Sequence, residues 1–333
     1  MTIANYASLK GRALTGALIA AATLGLAAAQ HASAQKYPEK PVRIVVPFGP
    51  GGGTDIFARM LGQQLSEAMG QQFVVDNRPG AGSTLGTEHV ARAPADGYTL
   101  LMTSASFAFS PGLYPKLRYD SVNDFVRISQ VVTVPHVIAV LPSLPVKDLQ
   151  GLVELARSKP GAVLYASAGH GSAMHLAGAL FANVVKAELT HVPYKGGAAT
   201  LTAVMGGETT TAFYTIETVL GHIRSNRLRA LAVSTRERTP ALPEVPTAIE
   251  AGFKDYEAIG WFGLMAPAGT PNTIVAQLSA EVAKAMKTPA VRERTLEQGA
   301  TPVGSTPAEF ERFVRSEIET WTRIIKEAGI KLE

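Results

Sequence analysis

The chain contains no cysteine. That excludes disulfides, thiolate metal sites, a cysteine nucleophile and a lipid-modified N-terminal cysteine. Charge is sparse as well: Asp, Glu, Lys and Arg make up 17% of the 333 residues. No run of Lys and Arg occurs, and no basic stripe interleaved with aromatics. The net charge of +4 therefore points to no nucleic-acid partner. The glycine-rich stretch lacks the Gly-Lys-Ser/Thr ending of a nucleotide loop, and its spacing is not a dinucleotide fingerprint. No Gly-x-Ser-x-Gly elbow is present. His170 and His175 stand five residues apart, off one helical face and with no acid beside them, so no metal site is expected.

One long apolar run is present. Lys10 and Arg12 precede the uncharged stretch Ala13 to Ala29, and Ala32-Ser33-Ala34 follows as a small-x-small cleavage site. This predicts a secretory signal peptide over residues 1–34 and a soluble periplasmic protein beginning at Gln35. Of the 31 basic residues, Lys10 and Arg12 fall in the leader; the remaining 29 face 27 acids, a net charge near +2.

Strand and helix signals alternate through the rest. Val42–Val46 is an apolar strand. It runs through the glycine turn "PFGPGGGTD" into a helix capped by Thr54, with Asp55 in its first turn and Gly70 as its stop. Phe73–Val75, a helix at Leu85–Ala91 and the strand Tyr98–Met102 complete a βαβαβ order, which predicts a parallel, doubly wound sheet. The same grammar resumes after Val131–Val140 and runs to a strand at Leu228–Val233. Tyr256–Met265 reads as a further strand, and Pro307–Ala328 as an amphipathic helix. Two such α/β runs predict two lobes.

Ligands of open parallel sheets sit beyond the carboxyl ends of strands. Four small polar loops fall at such ends: "PFGPGGGTD", "TSASF", "SAGHGSAMH" and "PYKGG". Glycine lets backbone N–H groups converge, and helix N-termini add positive dipole ends. The hydroxyls of Thr54, Thr103, Ser104, Ser106, Ser167 and Ser172 can donate too. This chemistry suits a carboxylate or other small oxyanion held by neutral donors. Paired carboxylates and a general base are missing from these loops, so no catalytic residue is assigned and no cofactor is expected. His170 is read as a loop donor to ligand or water, and His175 as a structural helix residue.

The stretches "YPEKPVRIVVPFGPGGGTD", "VVDNRPGAGSTLGTEHVARAPADGYTLL", "YASAGHGSAMHLAGALF", "THVPYKGGAATLTAVMGG" and "GWFGLMAPAGTP" resemble the Bug family. These are the extracytoplasmic substrate-binding receptors of tripartite tricarboxylate transporters. The resemblance covers Tyr37–Leu332. It implies an α/β, two-lobed periplasmic-binding-protein fold of the type II, Venus-flytrap kind. Lobe one would combine 35–134 with 256–333, and lobe two would be 135–255. It implies a monomer that binds a small carboxylate and presents it to a membrane permease, or in sensory paralogues to a signalling protein. A periplasmic enzyme acting on a small acid is the remaining alternative. The expected binding set is Phe48, Gly51, Gly52, Gly53, Thr54, Asp55, Thr103, Ser104, Ser106, Ser167, Ala168, Gly169, His170, Gly171, Ser172, Tyr194 and Tyr214. Family members commonly carry an acidic pattern in the strand after Gly206-Gly207. Here Thr210 and Tyr214 occupy those positions, which argues against an amino-acid ligand. It favours an acid whose neutral remainder packs on Phe48, Tyr214 or Trp261.

Overall fold

The computed structural model describes residues 37–331. The chain divides into two compact units, Met1–Glu39 and Lys40–Glu333, and the fold concerns the second. The expected signal peptide lies outside the described residues.

Ten strands among the described residues form one hydrogen-bonded sheet, in which eight follow the path β2-β1-β3-β9-β4-β7-β5-β6 and β8 and β10 pair with β4 off it. The ranges are β1 Val42–Val46, β2 Phe73–Asn77, β3 Thr99–Ser104, β4 Phe125–Val140, β5 Val163–Ser167, β6 Leu189–Pro193, β7 Thr211–Thr215, β8 Arg229–Val233, β9 Ile259–Pro267 and β10 Thr301–Pro302. The parallel sheet expected from the βαβ grammar is found only in two flanks, β2-β1-β3 and β7-β5-β6. Between them β9 and β4 run antiparallel to their neighbours. The 16-residue β4 belongs to both flanks. Its first part, Phe125–Pro135, pairs with β9, and its last part, His136–Val140, pairs with β7. A bulge-prone strand of this length, with register shifts at Arg127/Ser129 and Gln130/Val132, can bend from one sheet into the next.

Each flank has its own apolar packing. Phe107, Phe109, Trp261, Phe310 and Trp321 gather on the first. Two clusters, around Phe181 and Tyr256 and around Tyr214 and Val219, gather on the second. The helix α10, Pro307–Glu327, seals the first core because Phe310, Val314, Ile318, Trp321 and Ile325 recur at helical spacing. Its start is fixed by a capping box between Thr306 and Glu309. Two helices escaped the periodicity reading. Ser106–Leu113 is short and holds Pro111, and Pro289–Glu297 has almost no apolar face.

The glycine turn feeds α1, Gly53–Met69, whose N-cap is Gly52 with no side-chain cap. The expected Thr54 cap is thus displaced by two residues. The equivalent start on the second flank, α5 (Ala173–Val185), is capped by Ser172, whose Oγ accepts from the His175 N–H. The helix α7, Ile216–Arg224, follows β7 without a loop, with Thr215 at its N-cap.

Candidate ligand-binding site

The ends of β1, β3, β5, β6 and β7 surround a small cavity of about 50 Å³. Its lining includes Phe48, Gly52, Gly53, Thr54, Ser104, Ala168, Ser172, Gly197, Thr215, Thr218 and Phe262. Both flanks contribute, and around the cavity their loops touch through backbone. A Cβ built on Gly49 would lie 2.7 Å from the Lys195 carbonyl oxygen, so only glycine permits that approach. Tyr114 spans the same divide, its hydroxyl donating to the carbonyls of Ala81 (2.9 Å) and His170 (3.1 Å).

The structure brings Phe48, Gly52, Gly53, Thr54, Ser104, Ala168 and Ser172 of the expected set to this cavity. The rest take other places. Asp55 turns into the protein and organises the glycine turn. It accepts from Gly51 N–H (3.0 Å), Asn77 Nδ2 (3.0 Å) and, through both oxygens, Arg59 (2.9 Å each). Asn77 Nδ2 also lies 3.1 Å from the Phe48 carbonyl, which ties the turn to β2. Burial by itself would raise the Asp55 carboxyl, but the bonds from Arg59, Gly51 and Asn77 outweigh it and hold the group below its ordinary range. Gly51 serves this turn through its N–H.

Ser106 opens a helix rather than a loop, and its hydroxyl meets those of Ser104 (2.9 Å) and Ser83 (3.2 Å). Thr103 is buried, and its hydroxyl has no partner among the described residues. Ser167 is engaged with Gly169 and with Nε2 of His191 at 2.6 Å. His170 lines a separate cavity of about 750 Å³ with Gly171's neighbour His175, His191 and Lys186. Gly171 donates its N–H to His175 Nδ1 (3.1 Å), which fixes that ring as an acceptor. The Tyr194 hydroxyl donates to Glu208 at 3.2 Å.

Tyr214 is wholly buried in the second flank's core, its hydroxyl without a partner among the described residues and its ionisation pushed up by burial. Trp261, expected against a ligand, packs on Phe310 and Phe313 and donates from Nε1 to Glu317 (3.1 Å). Its neighbour Phe262 faces the cavity instead, since successive strand residues point to opposite faces.

The Ser167–His191 contact is the hydroxyl–imidazole pair that the sequence did not disclose. Burial first, and the nearby His175 and His170 charges second, push His191 down to about 3, which makes it a weak base. Ser167 is fully buried and already shared with Gly169. Hence this pair does not form an accessible nucleophile. Among the described residues, no group of three or more His, Cys, Asp or Glu is placed to hold a metal ion. No helix among them is long and apolar enough to cross a membrane.

Glu217 is the residue that the sequence reading missed. It sits in the first turn of α7, between the cavity-lining Thr215 and Thr218, and is 7% exposed. Among the described residues, neither carboxyl oxygen finds a hydrogen-bond partner. Burial pushes the acid up to about 7, offset only in part by the hydroxyls of Thr215 and Thr218 and by its own N–H, which lie near without reaching bonding geometry. A Cβ on Gly53 would lie 1.8 Å from Glu217 Oε1 and 2.7 Å from Phe262 Cζ, so the acid rests against the opening of α1. The sequence signal was "YTIET", one more strand running straight into a helix.

Residues 57–330 match the tripartite tricarboxylate transporter family receptor. This chain belongs to that family. It is 39% identical over 314 residues to protein BugT of Bordetella pertussis, covering 94% of this chain and 96% of that protein. A solved R. palustris structure with adipate matches with a TM-score of 0.86 at 36% identity, over 89% of this chain and all of that one. MatC of Rhodopseudomonas palustris, with bound malate, matches with a TM-score of 0.83 at 32% identity, over 87% of this chain and all of that one. The fold is the two-lobed periplasmic-binding-protein fold, and the relatives are receptors rather than enzymes.

Proposed function

We propose that this receptor captures a small carboxylate between its two flanks and passes it to the membrane permease of a tripartite transporter. One observation carries the reading: neutral donors from both flanks converge on a single cavity with no lysine or arginine in its lining. The α1 N-terminus at Gly52–Thr54 and the hydroxyls of Ser104, Ser172, Thr215 and Thr218 suit an anion held by hydrogen bonds and helix dipoles. The malate and adipate in the related structures support the carboxylate class.

The lobes of this reading are 35–134 with 256–333, and 135–255. The bend of β4 and the segment 234–258 serve as the two crossings about which the cleft opens. The receptor works as a periplasmic monomer after loss of residues 1–34. A thermal-shift screen with mono-, di- and aromatic carboxylates tests the capture step, because a ligand at 100 times its Kd stabilises by about 2.7 kcal/mol. Stabilisation by an acid that is recovered unchanged is expected, and no stabilisation by any of them would defeat the reading. For delivery, uptake of the labelled acid should stop when the receptor or its permease is deleted.

A further inference from the structure

A buried carboxyl with two unpartnered oxygens is costly, because each acceptor has lost water without replacement. Such groups in a native structure call for a partner supplied from elsewhere. Glu217 has Thr215 and Thr218 on either side, both on the cavity wall. Its Oε1 rests against Gly53 and its carboxyl beside Phe262, which are also on that wall. Among the described residues, no cation pairs with it. Meanwhile the neutral donors at Gly52, Gly53, Thr54, Ser104 and Ser172 already answer to a carboxylate. Glu217 can only accept from a donor, or donate if protonated, and the anion's place is taken.

We propose that Glu217 reads the other end of the ligand, accepting a hydrogen bond from an ammonium or hydroxyl group carried beside the bound carboxylate, and so makes the receptor selective for donor-bearing acids. This rests on the carboxylate-receptor reading. It reverses the expectation drawn from Tyr214, because the neutral tyrosine is core and the acid stands three residues further on.

Calorimetric titration with matched acids tests it: succinate, malate and aspartate on one skeleton, adipate and 2-aminoadipate on another. For whichever skeleton binds, wild type should take the donor-bearing acid at least about ten-fold more tightly than the plain one. Glu217→Met, which removes the acceptor and leaves no buried charge, should abolish that preference while leaving plain-acid affinity within about two-fold. Glu217→Gln separates the two donor sources. It should lose the preference for ammonium, which needs the charge, and retain that for hydroxyl, which a neutral carbonyl still accepts. A wild type without preference would overturn the proposal, and so would an equal loss for all acids in Glu217→Met. Tighter plain-acid binding at the expense of donor-bearing acids in wild type would show Glu217 donating to a carboxylate, which also overturns it. Binding of none of the acids would overturn the receptor reading itself, and this one with it.

Discussion

Two acids stand in the first turns of two helices that open on the same cavity, and they live opposite lives. Asp55 on α1 is 4% exposed and accepts four hydrogen bonds. Glu217 on α7 is nearly as buried and accepts none from the described residues. A helix N-terminus favours a negative charge in both places, by at most about 2 kcal/mol. Burial costs more than that, so partners decide the outcome. Asp55 is held below its ordinary range, whereas Glu217 is raised to about 7. The first acid is committed to shaping the glycine turn, and the second is left free to meet something from outside.

Breaking the committed acid should give the largest effect. Asp55→Ala strips the partners from Gly51 N–H, Asn77 and Arg59 at once. Because Arg59 is half exposed and solvent-screened, we expect about 3–4 kcal/mol of lost stability rather than the full cost of an orphaned buried pair. Denaturant unfolding would show it as a lower midpoint with an unchanged slope. Ligand affinity should fall too, because the turn presenting Gly52 and Gly53 loosens. Unfolding that matched wild type would mean the turn is held by its glycines and prolines alone.

The next effect is a difference in pH dependence. A depressed Asp55 adds stability that is present above its unfolded value near 3.8 and is lost as pH falls through its folded value. A raised Glu217 does the reverse: its contribution is present below about 4.5 and is lost as pH rises to about 7, up to about 3 kcal/mol across that window. Buried His136 and His175 and half-buried His191, pushed down to about 4, 4 and 3, lose stability as pH falls below 6.5 and so oppose Glu217 over much of the window. The wild-type slope is therefore a net quantity, and the comparison with Glu217→Gln isolates one acid. Between pH 4.5 and 7 the variant's stability should rise relative to wild type. Parallel curves would mean that Glu217 finds a partner in solution.

Gly53 is where the two acids' surroundings meet. Gly53→Ala places a methyl carbon on Glu217 Oε1 and against Phe262, an overpacking worth about 2 kcal/mol. Adding Glu217→Ala should return about half of it, since one of the two clashes disappears. Strict additivity in that double-mutant cycle would place Glu217 away from Gly53. Gly52 is less demanding than its place in the motif suggests: its φ is −89° and a Cβ there meets nothing nearer than 3.5 Å.

What was legible follows from which signals are local. Val42–Val46 matches its expected bounds, and most other elements begin or end within a few residues, because apolar periodicity and caps are written in neighbouring residues. The antiparallel centre was hidden, since βαβ grammar says nothing of a strand arriving from residue 259 to separate β3 from β4. At the site, loops rich in glycine and hydroxyls announced seven of the lining residues. Trp261 and Phe262 were exchanged because a one-residue error in strand phase flips the face. Tyr214 and Glu217 were misjudged for a related reason. Burial of the one and isolation of the other depend on β4 and α1, which are distant in sequence.

The smallest effect belongs to Ser172, which serves both the fold and the cavity. Its Oγ accepts from the His175 N–H at 3.3 Å, a long cap bond, while the side chain lies on the cavity wall. Ser172→Ala should cost about 1 kcal/mol of stability through the lost cap. It should cost a similar amount of binding free energy if the hydroxyl also donates to the ligand, since a single neutral hydrogen bond is worth about that much. Ser172→Gly separates the two roles, because glycine is nearly as good an N-cap as serine but carries no hydroxyl. Melting temperature should largely recover in the glycine variant while ligand affinity stays low, as read by titration calorimetry against wild type. If affinity recovers together with stability, Ser172 acts on the ligand only by holding α5 in place, and the neutral-donor set around the cavity shrinks by one.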